Sequence, residues 1–132
     1  MSKTFSTTLG LSSATLFPQN ATVSFSATQV VSGSAGFDLL VVSQSSTKNL
    51  YISTEADPSS TVYFYAQALA ANTQTLLLSI TGSNTSGSST VRLRPGDMTY
   101  IPLNVDAAGV AVNCINAAAS AQNIYVFYGQ RS

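Results

Sequence analysis

The sequence predicts an all-β chain, an antiparallel β-sandwich or jelly roll of about eight strands preceded by an extended N-terminal arm. Short runs in which apolar and polar residues alternate are cut by Gly, Pro, Asn or Asp, as half-buried strands and their turns require. Between those runs no stretch keeps a helical period long enough for the crossovers that parallel strands need, which leaves antiparallel pairing. A third observation concerns the surface. The 132 residues hold 21 Ser and 15 Thr but only 10 charged side chains, so hydroxyls and amides must supply most of the polar surface.

Met1–Gln19 is Ser/Thr-rich and carries Phe5, Leu9, Leu11, Leu16 and Phe17 at no persistent helical spacing, so it reads as an arm. Such an arm packs on its own domain or reaches a neighbour, where each buried large side chain contributes about 1.5–3 kcal/mol. Those five residues are therefore candidates for a protein interface. Residues 20–132 read as one sandwich domain, long enough to bury a core without disulfide or metal. Thr22–Ala27 alternates, with Val23 and Phe25 inward, and Ser32–Gly36 is a loop. Phe37–Val42, apolar except at Asp38, reads as a run suited to a central strand covered on both faces. Across the Gln44–Lys48 turn it forms a hairpin with Leu50–Ile52. Val62, Phe64 and Ala66 alternate with Tyr63, Tyr65 and Gln67, which places two tyrosines outward. Because tyrosine covers apolar area while keeping a polar tip, Tyr63 and Tyr65 join the interface candidates.

Ala66–Ala71 could make a short helical turn before Thr75–Ile80 resumes as strand. Thr81–Ser89 contains only small polar residues and is expected to be a mobile surface tip, since it buries nothing to offset ordering its backbone. Thr90–Leu93 and Met98–Leu103 flank Pro95-Gly96-Asp97, a turn in which Pro presets φ and Gly accepts positive φ. Val110–Ile115 and Ile124–Tyr128 supply the last strands, joined by the Ala-rich Asn116–Gln122.

The chain lacks the usual means of catalysis. It has no histidine, so near-neutral proton transfer would fall to tuned carboxylates, and its single cysteine permits no intrachain disulfide. Cys114 sits among Val112 and Ile115 with no basic neighbour in sequence, as a small buried hydrophobe would. Of the carboxylates Asp38, Glu55, Asp57, Asp97 and Asp106, three (Asp57, Asp97 and Asp106) fall in turns, where Asp bonds the local backbone. No nucleophile elbow, phosphate loop or metal-ligand spacing is present, and no catalytic, metal or cofactor site is expected. Two Lys and three Arg make no basic stripe for nucleic acid, and no apolar run is long enough to span a bilayer as a helix. Neither partner is expected. A net charge of zero leaves association with copies or partners unopposed by long-range repulsion.

Three segments together carry a family resemblance. Leu39–Ile52 (LLVVSQSSTKNLYI), Val91–Asp97 (VRLRPGD), and Ala111–Ala119 (AVNCINAAA) leading to Tyr125–Gly129 (YVFYG) resemble small β-sandwich virion proteins of tailed bacteriophages. There an apolar strand, polar turn and short aromatic strand precede a Leu-x-Pro-Gly turn and an Ala-rich segment before the final strand. The resemblance spans roughly Phe37–Gly129, and the chain departs from it in its longer arm and its Thr81–Ser89 insertion. It implies a capsid decoration or cement protein that stabilises the shell by binding the major capsid protein or other virion subunits. The family is often oligomeric, and it has no catalytic site to carry over. The expected place is the virion, after synthesis in the host cytoplasm, as a homo-oligomer. The alternative is a carbohydrate-binding or tail-fibre, receptor-binding β module, in which the outward tyrosines would stack on sugars.

Overall fold

The computed structural model describes residues 3–13, 21–31, 35–53, 61–82, 89–104 and 110–131. Ten strands run in order β1 (Lys3–Ser13), β2 (Ala21–Val31), β3 (Ala35–Val42), β4 (Ser46–Ile52), β5 (Thr61–Ala68), β6 (Leu76–Thr81), β7 (Ser89–Leu93), β8 (Met98–Asn104), β9 (Ala111–Asn116) and β10 (Gln122–Arg131). Eight of them form two four-stranded antiparallel sheets, ordered β3-β10-β5-β8 and β4-β9-β6-β7. Each connection from β3 to β10 crosses between the sheets except β6–β7, which gives a jelly-roll sandwich.

The alternation read in β5 sets the core. Val62, Phe64, Ala66 and Ala68 are fully buried on its inner side, against Leu76 and Leu78 of β6, Val112 and Cys114 of β9 and Ile124 of β10. Tyr51 of β4 meets Tyr128 of β10 across the sandwich, with ring centroids 5.1 Å apart. At Gly36 an added Cβ would stand 2.5 Å from the Tyr128 ring, so the absent side chain is what admits that ring beneath β3.

Turn chemistry follows the sequence at Pro95-Gly96-Asp97. Gly96 has φ 87°, the Asp97 amide donates to Arg94 O at 2.9 Å, and the Asp97 carboxylate accepts from the Arg94 amide at 2.9 Å. One end of the sandwich is fastened by buried amides in place of charge. The Asn116 side chain donates to Val42 O, Ser43 O and Ser120 O and accepts from the Ala118 amide. Gln122 accepts from the Thr73 and Gln74 amides and donates to Ser120 Oγ. Asn72 both donates to and accepts from the Asn123 backbone.

Several sequence expectations change. β3 is an edge strand of the first sheet, and β4 belongs to the other sheet, so the segment around Gln44 is a crossover rather than a hairpin turn. β5 continues through Ala68 without a helical turn, and a tight turn follows in which the Asn72 amide donates to Leu69 O. The arm has a partner. β1 pairs with β2 along its whole length, from Lys3 opposite Val31 to Ser13 opposite Ala21, in a two-stranded sheet of its own. The division expected after Gln19 therefore falls between two paired strands, and the strand foreseen at Thr22–Ala27 joins the arm instead of the sandwich. Of the expected Thr81–Ser89 tip, Thr81 ends β6 and Ser89 begins β7, while residues 83–88, with Glu55, Asp57 and Asp106, lie outside the described residues.

A candidate docking face on the first sheet

Register and the two-residue strand period assign the outer surface of the first sheet to three rows. Leu39, Tyr125, Gln67 and Met98 make one, Phe37, Phe127, Tyr65 and Tyr100 the next, and Ala35, Gly129, Tyr63 and Pro102 the third. Val41 extends the first column, opposite Asn123. This surface is aromatic and aliphatic, and much of it is open. Phe37 is 68% exposed, Met98 53%, Val41 52% and Leu39 45%. Phe37 stacks on Tyr125 at 6.0 Å with planes 10° apart and meets Phe127 at 6.1 Å in a tilted arrangement. Offset and tilted ring pairs of this kind add stability beyond area burial, so the strip is a preformed surface, not a set of loose side chains.

Tyr63 lies on the outer face, as its alternation predicts, but it is not open there. It is only 8% exposed and lies parallel to the Tyr100 ring at 6.4 Å. Beside it β2 runs next to β10, and Thr7 of β1 approaches Tyr100, the ring Tyr63 lies against. The Thr7 hydroxyl is buried and close enough to favour the Tyr100 phenolate, yet it lacks the geometry of a full hydrogen bond. Burial first, then the neighbouring Tyr63, raises the Tyr100 pKa against that smaller influence. Tyr65 stays half-buried, and burial raises its pKa as well. Its hydroxyl donates to Gln67 Oε1 at 3.1 Å.

Of the other interface candidates, Phe5, Leu9 and Leu11 are placed by the backbone of β1, while their side chains, and Leu16 and Phe17 entirely, fall outside the described residues. Sequence reading missed Phe37, Leu39, Val41, Tyr125, Phe127 and Met98. The signal was present in the apolar residues of Phe37–Val42, but an edge strand with Phe37, Leu39 and Val41 on one side and Leu40 and Val42 on the other reads like a covered central one despite Asp38.

Edge and face differ in what they invite. Asp38 on β3 has the parity of the core-facing residues and is nonetheless exposed, and Lys48 holds the equivalent place on β4, the edge of the second sheet. Inward-parity charges on edge strands oppose pairing with another strand. The open aromatic face carries no such guard.

Little else gathers chemistry. Cys114 is buried, and burial pushes its thiol up to about 12, far from a nucleophile's range. Asp97 serves its turn and Asp38 lies apart on β3. Among the described residues no three His, Cys, Asp or Glu side chains cluster to hold a metal.

No family model matches the sequence, and comparison with curated proteins finds no match. Among solved structures, one similar to this chain is peruvianin-I, a cysteine peptidase from Thevetia peruviana latex. The TM-score is 0.46 at 16% identity, over 74% of this chain and 54% of that one, so the chain spans about half the length of that structure.

Proposed function

We propose that this protein is a structural assembly subunit that docks through the outer face of its first sheet, most specifically a capsid decoration or cement protein. The observation that carries the proposal is the open strip Phe37–Leu39–Val41, backed by Tyr125 and Phe127. A face of this kind in a chain with few charges is costly to leave in water, and its burial against another protein supplies the driving force for binding. The resemblance to tailed-phage virion proteins supplies the partner class, the major capsid protein or another shell subunit, and with it the virion as the place of action. Catalysis has no part in this reading.

A carbohydrate platform fits the strip less well. Sugar recognition needs donors and acceptors beside the stacking ring, whereas Tyr65 and Gln67 hydrogen-bond to each other and the aromatic pair is flanked by Leu39 and Val41. The test is co-sedimentation with shells of the source virus stripped of this protein. Native protein is expected to pellet with shells and Phe37→Asp to stay in the supernatant while remaining folded by circular dichroism. Equal pelleting of both, or binding to a glycan array that Phe37→Asp abolishes, would overturn the proposal.

A further inference from the structure

We infer that β2 pairs edge to edge with the β2 of a second copy of the chain, antiparallel about a two-fold axis, in a contact separate from the shell-docking strip and additional to it. Two hairpins then join into one four-stranded sheet. In the single chain β1 and β2 form a sheet of only two strands, paired from Lys3 opposite Val31 to Ser13 opposite Ala21. A lone two-stranded ribbon is marginal in water, and every second residue of each strand turns its N–H and C=O away from the partner strand. Where β2 lies beside the sandwich it meets β10, whose two edges are already taken by β3 and β5. That contact leaves the outer edge of β2 without a ladder.

The fold guards its other edges. In the first sheet the edge strand β3 carries Asp38 at inward parity, and β8 carries Pro102. In the second sheet β4 carries Lys48 at inward parity, and β7 is five residues long with an exposed Arg92. β1 begins with Lys3 and contains Gly10. Charge, proline and short length are the means by which edge strands are kept from pairing. β2 has none of them: its eleven residues, ATVSFSATQVV, include no charge, proline or glycine. A long edge without such devices is a template for another strand.

The chemistry of that template matches its own copy. On one face of β2 Thr22, Ser24, Ser26, Thr28 and Val30 are exposed, and Ser6 Oγ of β1 lies 3.2 Å from Thr28 Oγ1. Antiparallel pairing about Ser26 aligns all eleven residues and sets Ser24 opposite Thr28, and Thr22 opposite Val30, of the other copy. A two-fold centred on a residue preserves the two-residue alternation, so exposed positions meet exposed positions and the hydroxyl face continues across four strands. Neither β2 brings a charge to the junction, and a net charge of zero leaves the two copies unopposed.

Sedimentation velocity of the full chain should show a dimer. Ser24→Lys with Thr28→Lys sets two like-charge pairs across the two-fold and should weaken that dimer at least about tenfold. Phe37→Asp with Val41→Asp should leave it as tight as in the native protein. Hydrogen exchange read by mass spectrometry should show residues 21–31 of the native chain gaining protection as concentration rises through dimerisation, which keeps the test decisive if the doubly lysine-substituted chain misfolds. A native chain that stays monomeric, a dimer unweakened by Ser24→Lys with Thr28→Lys, or a dimer without added protection at 21–31 overturns the inference. So does a dimer lost in Phe37→Asp with Val41→Asp, since the strip would then be the self-contact. Protection at 21–31 gained only on stripped shells also overturns it, because the edge then takes a strand of a shell subunit. The docking role of the strip is decided separately, by whether the Phe37→Asp protein pellets with shells.

Discussion

The two sheets share a core and present opposite surfaces. Both turn apolar residues inward, Phe64 and Ile124 from one and Leu78 and Val112 from the other. On the outside, the first sheet shows Phe37, Leu39, Val41, Tyr125 and Phe127, whereas the second shows rows of Asn49, Asn113, Ser79 and Thr90 beside Thr47, Ile115, Leu77 and Arg92. There the Asn49 amide donates to Asn113 Oδ1 at 3.2 Å. The contrast teaches that the fold needs only the inner faces. An apolar outer face adds nothing to a lone subunit, and its cost makes sense when another surface covers it.

The inner faces should respond alike. Phe64→Ala and Leu78→Ala each leave a cavity in the shared core and should destabilise by about 3–5 and 2–5 kcal/mol respectively in denaturant titrations. A small loss at either would show that its sheet does not share the core. Next in size is the buried amide that ties β9 to the end of β3. Asn116→Leu would orphan the Ala118 amide and three carbonyls at a fully buried site, and should cost about 2–4 kcal/mol by the same measurement. Asp97→Ala, at an exposed turn, should cost only about 0.5–2 kcal/mol.

Alkaline pH probes the first sheet selectively, because four of the six tyrosines, Tyr63, Tyr65, Tyr100 and Tyr125, lie on its outer face. Burial raises the pKa of Tyr65 and Tyr100, and of Tyr51 within the sandwich, where Tyr128 adds to the shift. The unfolded chain then releases these protons at lower pH than the folded one. Their contribution to stability is intact below the ordinary value of 10.0 and is lost as pH rises through the folded values. Melting temperature should fall with phenolate absorbance above that pH, and Tyr65→Phe should blunt the fall. The smallest effect is on the thiol, which should resist alkylation at pH 8 in the native protein and react at once in denaturant.

Local pattern revealed what local pattern controls. The period of β5 gave its inner and outer residues, and Pro95-Gly96-Asp97 announced its own turn. Coverage by distant segments was not readable. Tyr63 alternates as an outward residue should and is nonetheless buried, against a Tyr100 ring that Thr7 of the distant β1 approaches. Phe37–Val42 has nearly the composition of a central strand, yet only the order of strands reveals that, among the described residues, it is an edge. Asn116 and Gln122 look like loop polars in an Ala-rich link, and their burial depends on carbonyls and amides contributed from residues 42, 43, 73 and 74.

The most direct measurement compares matched charge insertions on the two outer faces by sedimentation velocity of the full chain, alone and with stripped shells. Phe37→Asp with Val41→Asp should abolish association with shells, a loss of at least about a hundredfold in affinity, with the thermal transition nearly unchanged. Asn49→Asp with Ser79→Asp should associate as the native protein does. Association with shells that survives the first pair, or is lost only with the second, would contradict the assignment of the docking surface to the first sheet.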